Sequence, residues 1–351
     1  MSQTLRKDRW VFDGHIDLGE AYLYFGCNPF VEGNGLKPED HEFTINAADF
    51  PRLKRGGVKL FAASIFAFHL KEGAQEHDFK SPYRWSTELR RYAAVYKEMA
   101  EKSQGDLMLV RNTAELDKCL DSNAMGMFFT VEGVNGLRKK TWERDLELAR
   151  EIGVVSIGGW NLRSMMWEPH SVIDGKGLTD IGKDFILKAS ELGIVIDFSH
   201  WGNRAVDQAL ETLPADRLVM FSHSNCHSLT DHSRNARDQQ QIEVHRRGGN
   251  NQPTFSASFH RQGNKASVGT YVDHFDRHQE LGIGESSAIA SDFYGLYIPS
   301  KTPGLDDASS SYALIEGELS TRGYRPMQRD GIMFTHGLRL VRRVLSARES
   351  S

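Results

Sequence analysis

Residues 125–133 read MGMFFTVEG, an apolar run that ends abruptly in the acid Glu132. The same form recurs in IVIDFSH at 194–200 and in LVMFSHS at 218–224, where a histidine closes the run. A strand that is buried on both faces of a parallel sheet reads as a nearly continuous apolar segment. The repetition therefore predicts parallel strands whose polar closing residues share one edge.

Eight such runs occur along the chain, and segments with helical spacing follow most of them. Alternating strands and helices indicate a parallel sheet joined by crossover helices. Eight pairs favour a closed (β/α)₈ TIM barrel over an open sheet. The predicted strands are 10–17, 58–66, 125–132, 154–160, 194–200, 218–223, 252–259 and 286–292. The predicted helices are 87–101, 141–151, 180–191, 204–212 and 268–281.

Composition restricts the function. The 351 residues carry a net charge of −4, and no basic block with interleaved aromatics indicates a nucleic-acid surface. No stretch approaches the roughly 18 apolar residues of a spanning helix, and we expect no membrane partner. The three cysteines, Cys27, Cys119 and Cys226, have no metal-type spacing and are expected to be free thiols of a cytoplasmic protein.

No linker divides the chain, so residues 1–351 are expected to form a single catalytic barrel domain. Two loop insertions follow strands, near 26–42 and 297–324. Barrel enzymes build their active sites on this side of the sheet. Each insertion is therefore either a lid or specificity loop, or surface decoration.

Five potential metal ligands lie at strand ends. His15 and Asp17 are two residues apart and share one face of a strand. Any one such residue is better explained as a hydrogen-bonded capping group. All strands of a barrel point the same way, however, so the ends converge on one rim. The set comprises His15, Asp17, Glu132, His200 and His223.

Three imidazoles and two carboxylates suit zinc or another divalent transition metal, and a carboxylate can bridge two ions. Two ions can activate a water and polarise a carbonyl, which is hydrolytic chemistry. Asp292 ends the eighth run and offers a further carboxylate. It is expected to carry a proton to the leaving amine. A ligand or a structural acid remains an alternative at this position.

Several long motifs resemble the membrane (renal) dipeptidases, a family of binuclear zinc peptidases with soluble bacterial relatives. They cover most of the chain and run in the family's order. The motifs are DGHIDL (13–18), INAADFPRLKRGGVKLFAASIF (45–66), TVEGVNGL (130–137), LGIVIDFSHWG (192–202), FSHSNCHSLTDHSRN (221–235) and DHFDRHQELGIGESSAIASDFYG (273–295). The resemblance implies a barrel of the metal-dependent hydrolase type and a dipeptidase with two Zn²⁺.

The resemblance also implies a role for each ligand. His15 and Asp17 would hold one zinc, and His200 and His223 the other. Glu132 would bridge the two ions. A hydroxide between the ions would then attack the amide carbon of a dipeptide or similar small amide.

Substrate contacts follow from the same resemblance. Asp292 matches the family's catalytic acid/base, and Arg234 matches the arginine that binds the terminal carboxylate. Vertebrate members carry a substrate-contacting histidine where this chain reads Gly159-Trp160-Asn161. Trp160 and Asn161 are therefore expected to contact substrate, although an aromatic core plug is an alternative for Trp160.

Departures from the family pattern leave the substrate open. The seventh run, GGNNQPTFSASFH, is more polar at its start than the family's aliphatic strand. One alternative is a pathway-specific hydrolase that acts on a modified peptide, an acyl amide or a lactone. Another is a peptide-binding barrel without catalysis. Relatives are often dimers, so a homodimer is the expected assembly.

Overall fold

The computed structural model describes residues 10–33, 48–66, 84–134, 136–159, 177–260, 265–295 and 302–349. Within these ranges, one curled parallel sheet has the strand order β1-β2-β4-β5-β6-β7, with β3 paired to β4. The strands are β1 Val11–Ile16, β2 Val58–Phe66, β3 Leu107–Leu109, β4 Met125–Glu132, β5 Ser156–Gly158, β6 Val195–Asp197 and β7 Val219–Met220.

Helices connect the strands and cover the outside of the sheet. They are α1 Leu18–Phe25, α2 Phe50–Arg55, α3 Trp85–Lys102, α4 Thr113–Leu120, α5 Trp142–Ile152, α6 Asp180–Glu191, α7 Asn203–Thr212, α8 Asp238–Arg246, α9 Ala257–His260, α10 Val268–Glu280, α11 Ser311–Thr321, α12 Pro326–Asp330 and α13 His336–Glu349.

The predicted helices match the structure closely, and capping side chains mark the starts of two of them. Thr179 accepts a hydrogen bond from Gly182 N (3.0 Å) ahead of α6, and Ser267 accepts one from Thr270 N (3.2 Å) ahead of α10. Such caps satisfy backbone donors that have no partner inside the helix.

The strands agree with the prediction at the centre of the sheet. The predicted ranges 58–66 and 125–132 are confirmed as β2 and β4, whose residues are all buried. The two strands pair continuously from Leu60 opposite Gly126 to Phe66 opposite Glu132. Three other predicted strands, 154–160, 194–200 and 218–223, are shorter in the structure, as β5, β6 and β7.

Two predicted strands were wrong. The segments 252–259 and 286–292 lie wholly within the described ranges and contain no strand. Single bridges join Asn251 to Phe221 and Ser287, and Ile16 to Phe293. Pro253 lacks an N–H, and two nearby backbone donors bind side chains. These positions interrupt the ladder, although backbone bonds such as Gln252 N to Phe221 O (2.9 Å) remain. Thr254 N donates to Asn225 Oδ1 (3.0 Å), and Ser291 N donates to Asp13 Oδ1 (2.9 Å).

The two parts of the sheet differ enough to be named. We call β1, β2 and β4 the ladder side, because continuous backbone pairing joins these strands. We call residues 250–256 and 286–293 the bridge side, because single bridges, scattered backbone hydrogen bonds and side-chain hydrogen bonds hold them without a continuous strand ladder.

An apolar cluster lies inside the curl of the sheet. Phe12, Leu60 and Phe128 on the ladder side meet Met220 and Ala288 from beyond it. Side chains of α13 pack against this cluster, namely Leu340, Val341, Val344 and Leu345. A larger cluster fills the space between the sheet and the helices. The C-terminal helix therefore covers one end of the curl.

The structure describes part of each predicted insertion. Residues 34–42 and 297–301 lie outside the described ranges. The remainder of the second insertion is not a simple loop, because it contains α11. None of the helices that the structure describes is both long and apolar enough to cross a membrane.

Candidate metal centre

The five predicted ligands meet at the carboxyl ends of the strands. His15 lies on β1 and Glu132 is the last residue of β4. Asp17 follows β1 directly, and His200 and His223 follow β6 and β7 by three residues each. Four of the five are buried, and His200 is partly exposed. Parallel strand direction thus brings together residues more than two hundred positions apart.

Glu132 occupies the middle of the group. Its Oε2 lies 2.8 Å from His15 Nε2, and its Oε1 lies 2.9 Å from His200 Nε2. The ring of His223 lies between the other imidazoles, with centroids 4.0 Å from His15 and 4.8 Å from His200. Each carboxylate oxygen of Glu132 therefore faces a different histidine.

A second set of carboxylates approaches His15. Its Nε2 lies 3.4 Å from Asp17 Oδ2 and 4.0 Å from Asp292 Oδ1. Gly295 packs against both acids, since a Cβ there would lie 2.5 Å from Asp17 Oδ2 and 2.5 Å from Asp292 Oδ1. A glycine is required for the carboxylates to come this close.

Two site residues adopt a backbone conformation that side chains rarely take. His200 has φ 70° and Asp292 has φ 61°. A left-handed conformation in a non-glycine residue costs on the order of 1–3 kcal/mol and clusters at functional sites. Both residues therefore depend on the surrounding structure to hold them in position.

Buried charges perturb the central pair strongly. Burial lowers the pKa of His15, but Asp17 and Glu132 outweigh it and leave that pKa well above its usual value. Burial raises the pKa of Glu132, but His200 and His15 outweigh it and leave that pKa well below its usual value. Glu132 is therefore a carboxylate, the form that binds metal.

The other two histidines are neutral. Burial, with the charge of Arg234, lowers the pKa of His200 to about 4 against the opposing effect of Glu132. Burial and the neighbouring His15 hold the pKa of His223 well below its usual value. A neutral imidazole keeps one lone pair for a metal.

Asp292 differs from Glu132 in its protonation. Burial, reinforced by Asp17 and Glu132 and opposed by His15, raises the pKa of Asp292 to about 8. Thr254 Oγ1 also donates to its Oδ2 (3.4 Å). A carboxyl that titrates near neutral pH can both take and give a proton, as general acid–base catalysis requires.

Arg234 lies over the ring of Phe259, with its guanidinium carbon 5.3 Å from the ring centroid. Its Nη1 is buried and makes no hydrogen bond within the described part of the chain. Burial lowers the pKa of Arg234, while Glu132 and Asp292 oppose that effect. Arg234 is therefore a cation that lies close enough to the carboxylates of the centre to interact with them electrostatically.

The donor set suits a metal. His15, Glu132 and His223 place one ligand atom each within 4.8 Å of one another, and so do His15, Asp17 and Asp292. His223 Nε2 and Asp17 Oδ1 are buried and have no hydrogen-bond partner among the described residues. Buried polar atoms without partners are costly unless a ligand satisfies them. Imidazole and carboxylate donors together fit zinc-like divalent ions.

The full length of the chain, residues 1–351, matches the sequence profile of the membrane dipeptidase family, peptidase family M19. The chain belongs to this family. It is thus a metallo-dipeptidase, a hydrolase that acts on peptide bonds. Membership implies a metal cofactor and suggests a small peptide substrate.

The chain is similar in sequence to proteins of animals and bacteria. Dipeptidase 3 of Mus musculus is 31% identical over 363 residues, which cover 99% of this chain and 67% of that protein. An uncharacterized protein in the pqqA 5' region of Klebsiella pneumoniae is 29% identical over 72% of this chain and 94% of its own length.

Solved structures share the fold. A metallo peptidase from Rhodobacter sphaeroides, liganded with a phosphinate mimic of the dipeptide L-Ala-D-Ala, has a TM-score of 0.78 at 20% identity, covering 97% of this chain and 100% of that one. The probable dipeptidase PvdM from Pseudomonas aeruginosa has a TM-score of 0.76 at 16% identity, covering 96% of each chain.

Sequence reasoning missed several residues of this dipeptidase site. Asp13 accepts hydrogen bonds from His15 N (3.1 Å) and Tyr312 Oη (2.6 Å). Glu20 is buried, and burial together with Asp17 raises its pKa well above the usual value. Asp13 lies in the DGHIDL motif, so its place there was the available signal. Nothing in the sequence marked Glu20.

The predicted substrate contacts Trp160 and Asn161 lie outside the described residues.

Proposed function

We propose that this chain is a zinc-dependent dipeptidase that hydrolyses the amide bond of dipeptides or similar small amides. The observation that carries the proposal is the position of Glu132, whose two oxygens lie 2.8 Å and 2.9 Å from two different histidines. A carboxylate placed in this way is suited to bridge two metal ions.

Each ligand then has a role. His15 and Asp17 would hold one Zn²⁺, His200 and His223 the other, and Glu132 would bridge them. When bound, the ions supply a lowered pKa for water and polarisation of the scissile carbonyl. Cobalt or manganese suits similar donors.

Asp292 moves the proton in this proposal. Its pKa of about 8 allows it to hold a proton near neutral pH and to deliver it to the leaving nitrogen. Oδ1 of Asp292 lies 4.0 Å from His15 Nε2, so the acid is beside the reacting centre. The backbone of Asp292 also donates to His15 O (3.0 Å), which ties the acid to β1.

Arg234 selects the substrate by its free carboxylate. A guanidinium binds a carboxylate with two parallel hydrogen bonds, and Nη1 of Arg234 has no partner among the described residues. Such a contact would restrict the enzyme to short substrates with a free C-terminus. The dipeptide mimic held by the Rhodobacter sphaeroides relative supports the same substrate class.

Closure of the sheet into a complete (β/α)₈ barrel belongs to the same proposal, as does a single catalytic domain spanning 1–351. Bridges from Phe221 to Asn251, from Asn251 to Ser287 and from Phe293 to Ile16 support a ring that ends where it began. In that ring, the bridge side supplies the seventh and eighth positions.

A matched substrate panel tests the proposal. Zinc-loaded protein should hydrolyse dipeptides, and the same dipeptides with amidated C-termini should be cleaved far more slowly. Arg234→Ala should remove this difference by slowing the free-acid substrates alone. A zinc-loaded protein that cleaves neither set would contradict the dipeptidase proposal and favour a modified peptide, acyl amide or lactone. Binding of dipeptides without cleavage would favour the non-catalytic alternative.

A further inference from the structure

A chain of hydrogen bonds leads from Asp197 to His223, one of the five proposed ligands. Ser222 Oγ bonds to Asp197 Oδ2 on one side and lies 2.6 Å from His223 Nδ1 on the other. Asp197 Oδ1 accepts from Ser199 N (3.0 Å) and Ser222 N (2.9 Å). All these residues are buried. Water therefore does not compete for their donors and acceptors.

The number of available hydrogens determines which groups donate and which accept in this series of hydrogen bonds. Ser222 has one hydroxyl hydrogen, and the Asp197 carboxylate can only accept. If Ser222 gave its hydrogen to His223, its contact with Asp197 would oppose two lone pairs. Ser222 must therefore donate to Asp197, and its oxygen is left to accept from His223 Nδ1.

Ser199 does not offer a different solution. Its Oγ lies 3.2 Å from Ser222 Oγ and already accepts from His223 N (3.0 Å). It is a longer and uncharged alternative to the carboxylate. A hydrogen directed from Ser222 to Ser199 would still leave Ser222 to accept from His223 Nδ1.

We propose that Asp197 and Ser222 are positioning residues that fix the tautomer of His223, with its proton on Nδ1 and a free lone pair on Nε2. The value of that lone pair to a metal rests on the proposed function, while the tautomer itself does not. Nε2 of His223 makes no hydrogen bond to any described residue, and ligand atoms of His15 and Glu132 lie within 4.8 Å of its own. Partners on the far nitrogen commonly set a ligand histidine in this way.

Asp197→Asn is the informative variant, because it is isosteric and reverses the donor and acceptor roles along the series of hydrogen bonds. The amide oxygen can still accept from Ser199 N and Ser222 N. The amide nitrogen must donate to Ser222, whose hydrogen then goes to His223 Nδ1 at 2.6 Å in preference to Ser199 Oγ at 3.2 Å. The proton of His223 is thereby moved to Nε2, where it blocks the lone pair.

The 351-residue chain, labelled with ¹⁵N-histidine and freed of metal with a chelator, provides the measurement. In the parent protein the His223 N–H should appear at Nδ1 in nitrogen–proton spectra, and in Asp197→Asn it should appear at Nε2. Zinc affinity of that variant, measured by calorimetry, should fall by about 10–100-fold. Ser224→Ala is the control, because Ser224 Oγ contacts only the outer Ser199 Oγ (3.4 Å) among the hydrogen bonds described.

Each result distinguishes the two proposals. A parent protein with the proton on Nε2 overturns the positioning role, whatever the metal content. A tautomer that switches in Asp197→Asn without any change in zinc affinity supports the positioning role and counts against His223 as a ligand. If Asp197→Asn does not fold, Ser222→Ala should give a mixture of both tautomers, and an unchanged single tautomer would overturn the proposal.

Discussion

The ladder side and the bridge side of the sheet hold their site residues by different means. On the ladder side, β2 and β4 pair without interruption up to Glu132, and the surrounding side chains are mostly apolar. On the bridge side, backbone hydrogen bonds form no regular strand and are supplemented by buried polar side chains. They include Asn250, Asn251, Gln252, Thr254, Ser286, Ser287 and Ser291.

The difference shows how one fold can be both rigid and locally irregular. A continuous ladder fixes Glu132 by its register, and a shift by one residue would move every side chain to the opposite face. On the bridge side, scattered backbone and side-chain hydrogen bonds fix the segments instead of one continuous ladder. Asp292 can therefore adopt φ 61° between Ser291, which is bound to Asp13, and Phe293, which is bridged to Ile16.

The largest expected effect is on catalysis at Asp292. Asp292→Ala should retain bound metal, because the five proposed ligands remain, while turnover falls by roughly 10²-fold or more through loss of proton transfer. Steady-state kinetics beside metal analysis make the measurement. Undiminished turnover would remove Asp292 from the mechanism, and loss of metal would make it a ligand instead.

On the ladder side, the expected effect is on stability. Leu60 is fully buried in the apolar cluster inside the sheet. Leu60→Ala should lower the free energy of unfolding by about 2–5 kcal/mol, from lost burial and the remaining cavity. Chemical denaturation measures it. Turnover of the folded variant should stay near that of the parent, and a large loss of turnover would show that the ladder side is not independent of the chemistry.

Acid should weaken the bridge side selectively. Burial lowers the pKa of His278 to about 3, and His278 Nδ1 lies 2.9 Å from Ser287 Oγ. The unfolded chain binds this proton more readily, since its histidine titrates near 6.5. The stability that neutral His278 contributes is therefore fully present above about pH 6.5 and is lost as pH falls toward 3. At pH 5 the loss in the free energy of unfolding amounts to about 2 kcal/mol.

His278→Asn should accordingly lose less stability than the parent between pH 7 and pH 5. Leu60→Ala is the matched comparison, because its deficit should be equal at both pH values. Burial also lowers the pKa of His260 to about 4 and that of His274 well below its usual value, so neither histidine should reverse the trend. Equal acid losses in His278→Asn and the parent would refute this account.

The smallest effect concerns two asparagines with similar hydrogen bonds. Asn225 accepts from buried Thr254 N on the bridge side, and Asn112 accepts from Glu115 N (2.8 Å) as the cap of α4. Asn225→Ala should lower the free energy of unfolding by about 1–3 kcal/mol, because it leaves a buried donor unpaired. It should also lower turnover, since Thr254 contacts Asp292.

Asn112→Ala should lower the free energy of unfolding by about 1 kcal/mol and leave turnover unchanged. Denaturation and steady-state kinetics on both variants make the comparison. Equal turnover in the two variants would show that the bridge side does not position the acid.

The ladder side could be read from the sequence, and the bridge side could not. Apolar runs such as MGMFFTVE carry strand pairing in their own composition. The range 252–259 resembled a strand, but Pro253 offers no donor and the amide of Asn225 redirects the backbone donor of Thr254. That redirection depends on residues far apart in sequence, so no local pattern predicts it.

The grouping of the candidate site residues could also be predicted from the sequence. The five predicted ligands, Asp292 and Arg234 all lie in one electrostatically coupled region, because parallel strands converge whatever their separation. Ser222 and Gly295 carry no chemistry of their own and matter only through what they contact. Such supporting roles become visible only in three dimensions.

Metal analysis of the 351-residue chain tests the central claim most directly. After loading with zinc and removal of free metal, the parent chain should retain two zinc ions, and Glu132→Gln should lose most of them because the bridging charge is gone. A parent protein that retains no divalent ion, or a Glu132→Gln variant that retains both, would contradict a two-metal centre built around Glu132.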